Sequence, residues 1–252
     1  MSVNKTLKAT VFSVLLLIVM GGLIGFVQKR QEARLCSHVT IGIDNEYNNF
    51  FIDQSDVKAL LTKDDTAPVE GTKNEEISLK ALELRIKSHK FVKDAQVHRD
   101  LAGNLVVDIK QNRPVARLIL SDEDRYIDQK GSFLPLSDRY TARVLPVIAE
   151  GGLVLSQEFL SSEKSRPYLD VLNYIDTHDF WKAQLAEMHI LPDGKLYFIP
   201  QIGDHKIEFG LPENVEVKLN KLMVFYKEVA PNMGWEKYQR INLEFENQIV
   251  CE

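Results

Sequence analysis

The stretch Leu82-Glu-Leu-Arg-Ile-Lys-Ser-His-Lys-Phe-Val-Lys-Asp-Ala-Gln-Val-His-Arg99 changes its apolar period partway along. Leu82 and Ile86 stand four apart, the spacing of one helix face; Ala95 and Val97 then alternate, the spacing of one strand face. Asp100–Asn104, with Gly103, has turn chemistry, and Leu105, Val107 and Ile109 alternate again. A helix feeding a hairpin is therefore expected. Pro114 should end the last strand, because it has no amide to give a ladder.

Working outward, Val39, Ile41 and Ile43 alternate as a strand would. Asp53 is placed to cap a helix carrying Val57, Leu60 and Leu61, with Asp56 in its first turn. Lys63–Asn74 is polar, contains Pro68 and Gly71, and is expected as a loop. Ser78 should cap the next helix, with Leu79, Leu82 and Ile86 on one face. Glu75 and Glu76 then lie at its positive end and Lys87 and Lys90 at its negative end. The expected order over about residues 35–115 is strand–helix–helix–strand–strand.

Residues 116–252 are rich in strand patterns: Ala116–Leu120, Arg125–Ile127, Val144–Ile148, Leu185–Ile190, Lys195–Ile199 and Lys206–Phe209. Asp193-Gly194 is a hairpin signal between two of them. One helix is expected over Ser162–Asp176. A second carries Val215, Leu219, Leu222, Tyr226 and Val229, with Pro231 and Gly234 closing it. Tyr238–Val250 is expected as the last strand. Ile241, Leu243, Phe245 and Ile249 should face one way and Asn242, Glu244, Glu246 and Gln248 the other. That alternation suits a sheet covered on one side only.

The chain is 44% hydrophobic and 27% charged over 252 residues, a globular balance that excludes wholesale disorder. Its charge is uneven. Residues 1–34 hold five basic groups and one acid; the remainder is net −9 and shows no basic stripe, which argues against nucleic acid. No charge occurs from Ala9 to Val27, a run close to the roughly 20 residues that cross a bilayer as a helix. It is longer than a signal-peptide core, and no small-residue cleavage site follows it. Arg34 and Leu35 before Cys36 do not suit lipoprotein processing. An uncleaved anchor over 9–28 is expected. Lys5 and Lys8 precede it and Lys29, Arg30 and Arg34 follow it, so flanking charge does not orient it. A cytoplasmic amino terminus is expected because long downstream domains translocate largely regardless of charge. Gly21-x-x-x-Gly25 is compatible with helix pairing, and so with a homodimer, although glycine is common in such helices.

Enzyme signatures are absent: there is no Gly-x-Ser-x-Gly, His-Glu-x-x-His or Gly-x-x-x-x-Gly-Lys, and the six histidines are scattered. His98 beside Asp100 is expected as a solvated surface pair. Asp64-Asp65 supplies too few ligands for calcium. Asp128 is expected to serve its own turn before Gly131. Cys36 and Cys251 lie far apart in sequence without a Cys-x-x-Cys pattern, so zinc is not expected and their pairing is left open. No catalytic residue, cofactor or metal site is assigned.

Taken in order, these pieces resemble the bacterial FtsQ family of cell-division proteins, called DivIB in some groups. The likeness rests on Leu82–Arg99 and on Asn104–Ala116 with its Arg113-Pro-Val-Ala116 exit. Tyr126-Ile-Asp-Gln-Lys-Gly131, Leu145-Pro-Val-Ile148, Ile207-Glu-Phe-Gly210, Lys218-Leu219 and Arg240-Ile-Asn-Leu243 extend it. Lys63–Asn74, Cys36 and Cys251 depart from the family pattern.

The resemblance implies an α+β chain: a cytoplasmic tail (1–8), one transmembrane helix (9–28), a POTRA-like (polypeptide-transport-associated) β-α-α-β-β domain (35–115) and a mostly antiparallel β domain with flanking helices (116–252). It further implies a non-enzymatic divisome scaffold in the inner membrane at the division site, linking early and late division proteins. Its partners would be FtsB- and FtsL-type single-span proteins, through which septal peptidoglycan synthesis is regulated. The expected means is strand addition to an exposed edge. The residues expected to bind are Tyr238, Ile241, Asn242, Leu243, Glu244, Phe245, Glu246, Gln248 and Ile249. A recruitment role is expected for the POTRA-like unit, through its sheet edge or second helix. The alternative reading is a POTRA-containing envelope protein acting in protein transport or assembly, which would usually carry repeated units or a barrel-length series of strands.

Overall fold

The computed structural model describes residues 12, 14–23, 25, 34–45, 49–62 and 69–252. Residues 14–23 are helical, and the large apolar side chains among them, from Val14 to Leu23, are all exposed. The expected anchor over 9–28 lies in part outside the described residues. Among those described, no helix is long and apolar enough to cross a membrane. Asp64-Asp65 and the first half of the Lys63–Asn74 loop also lie outside them.

The rest forms two compact units. One holds the described residues of Met1–Glu46 and Ile52–Gln111, the other those of Tyr47–Phe51 and Asn112–Glu252. In the first, strand β1 (Val39–Asp44) is followed by helices α1 (Gln54–Leu61) and α2 (Leu79–Lys87), then by β2 (Val92–Arg99) and β3 (Leu105–Gln111). Asp53 caps α1 in full: its Oδ1 accepts from the Ser55 and Asp56 amides at 2.8 and 3.0 Å, and Asp56 Oδ2 accepts from the Asp53 amide at 2.9 Å. Ser78 accepts from the Ala81 amide and starts α2. Gly103 adopts φ +92° in the β2–β3 turn, where Asp100 accepts from the Asn104 amide. β3 lies between β1, which it pairs in parallel, and β2, which it pairs antiparallel. Val57, Leu61, Leu82, Ile86, Ala95, Val97, Leu105, Val107 and Ile109 meet in one core, together with Cys36. Helix and strand faces assigned by periodicity are thus the faces that bury.

The second unit is built on nine strands: β4 (Pro114–Ile119), β5 (Arg125–Asp128), β6 (Phe133–Leu134), β7 (Leu145–Ala149), β8 (Leu185–Ile190), β9 (Leu196–Pro200), β10 (Lys206–Gly210), β11 (Arg240–Asn242) and β12 (Val250–Cys251). Its helices are α3 (Gln157–Leu160), α4 (Arg166–Thr177), α5 (Asp179–Gln184), α6 (Val215–Val224) and α7 (Ala230–Met233). The sheet order is β12-β11-β10-β9-β8-β7-β4-β5-β6. Five of the eight strand pairings are antiparallel and three parallel. One face of the sheet is buried, through Leu118, Val147, Met188, Phe198, Ile207 and Ile241, against Leu172, Ile175, Trp181, Leu219 and Leu222 of the helices.

Several expectations are corrected here. Pro114 opens β4 rather than closing β3, a position where its missing amide does no harm. The helix expected from Ser162 begins at Arg166, because Pro167 suits a first turn, and the short α3 and α5 flank it. The helix expected to run through Val229 changes at Phe225–Val229 into a π turn. Pro231 then lies within α7 instead of ending the helix. A widened turn before it removes the ladder bond that a proline cannot make. Gly234, at φ +95°, is the actual stop. His98 faces Asp108 across the hairpin at 3.8 Å, while Asp100 is engaged by Asn104.

The Asp128 turn has the chemistry expected of it. Asp128 Oδ1 accepts from the amides of Lys130 and Ser132, both at 2.8 Å. Gly131 sits at φ +81°, and a Cβ there would stand 2.9 Å from the Leu160 carbonyl oxygen. Gly131→Ala is therefore expected to destabilise the unit by about 1–3 kcal/mol, measured by chemical denaturation.

Candidate partner-binding site

Three short segments build the end of the large sheet. β10 pairs with β11 in parallel, Ile207 beside Ile241 and Glu208 beside Asn242. The Leu243 amide donates to Glu208 O at 2.9 Å. β11 pairs with β12 antiparallel, Ile241 opposite Cys251 and Asn242 opposite Val250. The Arg240 amide donates to Glu252 O at 3.1 Å, and the Glu252 amide donates back to Arg240 O at 3.0 Å. Arg240 and Glu252 are thus a hydrogen-bonded pair. Ile241–Cys251 is the next, non-bonded pair, so Cys251 directs its own N–H and C=O away from β11. That outward row, through Cys251, is the open edge.

The expected strand Tyr238–Val250 is therefore broken. Ile241 and Asn242 lie in β11, flanked on both sides, and Ile241 and Leu243 are fully buried. Glu244, Phe245, Glu246 and Gln248 are exposed in the segment that turns back around residues 245–247. Phe245 does not follow Ile241 and Leu243 inward, because the reversal ends their alternation; Ile249 packs on the core again after it. Tyr238 precedes β11, half-buried, against Phe225. The expected site residues fall into a paired strand, the turn after it and, at Ile249, the approach to the edge strand. Val250 and Cys251 form that strand and were not among them. Asn247, a turn former within the apolar alternation, is the signal that marks the break.

Side chains fasten this corner. Arg240 reaches Glu208 with two bonds (Nε–Oε1 3.1 Å, Nη2–Oε2 2.8 Å) and Glu252 with a third (Nη1–Oε2 2.9 Å). The Arg240 bonds hold the Glu208 carboxyl below its ordinary range. Lys195 Nζ contacts Glu244 at 3.0 Å, and the stem of Glu244 lies over Gly210, where a Cβ would meet its Cγ at 2.6 Å. Burial pushes the Cys251 thiol up, away from thiolate chemistry.

The open face of the sheet is polar and paired within itself. His189 contacts Glu150 and Glu187 through its two ring nitrogens, each at 2.9 Å, and stacks on Tyr197. Tyr197 donates to Glu150, and Lys206 Nζ lies 3.6 Å from the Tyr197 ring centre. Arg117 pairs with Asp124 at 2.7 Å. At the opposite edge, β6 is plugged: the Phe133 amide donates to Gln157 Oε1 at 2.8 Å, and Gln157 Nε2 donates to Gly131 O at 3.0 Å. β12 is the sheet end left with main-chain groups facing outward and no such plug among the described residues. No group of His, Cys, Asp and Glu that could hold a metal occurs among them, and Cys36 and Cys251 are free thiols.

Residues 34–110 match the family model of a POTRA-like domain. Residues 113–252, more than half of the chain, match the family described as FtsQ/DivIB, C-terminal related. The cell division protein FtsQ of Rhodothermus marinus is 26% identical over 171 residues, which cover 66% of this chain and 62% of that protein. The matched chain thus spans less than two thirds of that relative's length. With its β-α-α-β-β unit and the nine-stranded sheet behind these matches, the chain belongs to the FtsQ/DivIB family.

Proposed function

We propose that the protein is a non-enzymatic, membrane-anchored scaffold of cell division that captures an extended segment of a partner on the β12 edge. The observation that carries this reading is the outward row of main-chain groups through Cys251, beside a sheet face whose charges are spent on one another. Main-chain bonds of an added strand supply affinity and alternate side chains supply specificity. FtsB- and FtsL-type single-span proteins are the proposed partners, and control of septal peptidoglycan synthesis the proposed consequence.

The anchor is proposed from the charge-free run and from the exposed apolar side chains of residues 14–23, whose burial in lipid would remove them from water. Main-chain groups also lie at the outer edges of β1 and β2 in the POTRA-like unit, which favours a recruitment role for it.

A fluorescent tag on the amino terminus tests the cellular role. In dividing cells the account expects a sharp band at midcell before constriction. Even labelling of the envelope would overturn it and return the transport reading.

A further inference from the structure

The turn that brings the chain back from β11 to β12 is held from outside the sheet. Lys221, on α6, points its ammonium at this turn. Nζ donates to Leu243 O at 3.2 Å and also to Phe245 O. Two carbonyls that the sheet does not use are thereby satisfied by one side chain. Burial holds the Lys221 ammonium below the ordinary lysine range, with Glu246 acting in the other direction. β12 is only two residues long, and a strand of that length contributes too few ladder bonds to hold itself.

Neighbouring charges are poor substitutes. Arg240 and Glu252 are 49% and 61% exposed, and Lys195 and Glu244 are 40% and 35% exposed. Ion pairs at such exposure contribute little, and the less exposed Arg240–Glu208 pair ties β11 to β10 rather than holding the turn. The Leu243 carbonyl held by Lys221 differs in kind, because that bond is part-buried and its acceptor loses a charged donor beside the sheet, whereas the Phe245 carbonyl lies on the exposed side of the turn. Lys218, one turn earlier, works in the same way elsewhere: its Nζ donates to Leu211 O at 2.8 Å and lies over the Phe209 ring.

We infer that Lys221 is the positioning residue of the partner edge, fixing the β11–β12 turn so that β12 is presented already formed. This deepens the partner reading and rests on it. Its test, however, uses the free protein, so that failure here leaves the partner reading standing.

The measurement is amide hydrogen exchange of the full chain in detergent. The Arg240 and Glu252 amides report the β11–β12 pairing, because each donates across it; the Leu243 amide reports β11–β10, and the Leu191 amide, bonded to Lys195 O, reports the β8–β9 hairpin. Lys221→Met is expected to speed exchange at Arg240 and Glu252 by about tenfold or more, with Leu243 and Leu191 within about threefold of wild type. Lys221→Gln, too short to reach both carbonyls, should behave alike. Lys221→Arg, which keeps a charged donor, should restore most of the protection, and Lys195→Met should leave it intact. Unchanged exchange in Lys221→Met and Lys221→Gln would overturn the inference. So would an equal rise at all four amides, which would mark a general loss of stability.

Discussion

Asp176→Asn is expected to destabilise the β domain by about 3 kcal/mol, the cost typical of breaking a buried ion pair from one side. Asp176 lies in the last turn of α4, where the helix dipole disfavours an anion. Its side chain is 4% exposed, and two cations hold it there: Arg113 Nη2 at 2.5 Å and Lys182 Nζ at 2.8 Å. Those partners come from the chain just before β4 and from α5, so one carboxylate ties three segments of the unit together. Asparagine keeps the volume but withdraws the charge, leaving Lys182 without this carboxylate and Arg113 without one of its contacts. For a chain of this size the loss corresponds to a melting temperature lower by about 6–12 °C. Lys182→Met should cost less, about 1 kcal/mol or below, because that side chain is 40% exposed. Denaturant unfolding checks both. A stability of Asp176→Asn within about 1 kcal/mol of wild type would show that the triad contributes specificity rather than stability.

The same pair explains a piece of sequence that periodicity leaves unread. In Arg113-Pro-Val-Ala116, Pro114, Val115 and Ala116 follow strand rules, with Val115 and Ala116 buried. Arg113 pairs with an acid that lies 63 positions later in the sequence. Long-range pairing of this kind has no period. Most of the first unit was legible because each element announces itself locally: Asp53 and Ser78 at helix starts, Gly103 in the turn, alternation along β2 and β3. The hairpin at Asp193-Gly194 was legible for the same reason, with Gly194 at φ +85°.

The end of the chain was harder. Ile241, Leu243, Phe245 and Ile249 keep an odd-numbered alternation across a reversal, so the pattern survives while the strand does not. A turn that changes strand without changing parity is invisible to a period of two. Two-residue strands such as β6 and β12 also leave no window in which alternation is measurable. The π turn at Phe225–Val229 escaped for a related reason: Leu222, Tyr226 and Val229 keep helical spacing into and through it.

Which strand forms the open edge makes an opposite pair of proline substitutions informative. The Cys251 amide points out of the sheet, so Cys251→Pro removes a donor from a visiting strand and none from the fold. The Ile241 amide points toward β10, and the side chain is fully buried. Ile241→Pro should therefore break a ladder bond and open the core, for a loss of about 3 kcal/mol or more. An edge running along Ile241–Ile249 would predict the reverse at position 241, with binding lost and stability kept. Cys251→Ala separates loss of the thiol from loss of the amide.

The decisive measurement is the affinity of Cys251→Pro for the extracytoplasmic segment of an FtsB-type partner from the same organism, by calorimetric titration beside wild type and Cys251→Ala. The account predicts a dissociation constant raised by about tenfold or more, the equivalent of one lost main-chain hydrogen bond, with the melting temperature within about 2 °C of wild type. Cys251→Ala should bind nearly as wild type does. An affinity for Cys251→Pro equal to wild type at matched stability would contradict strand addition at β12.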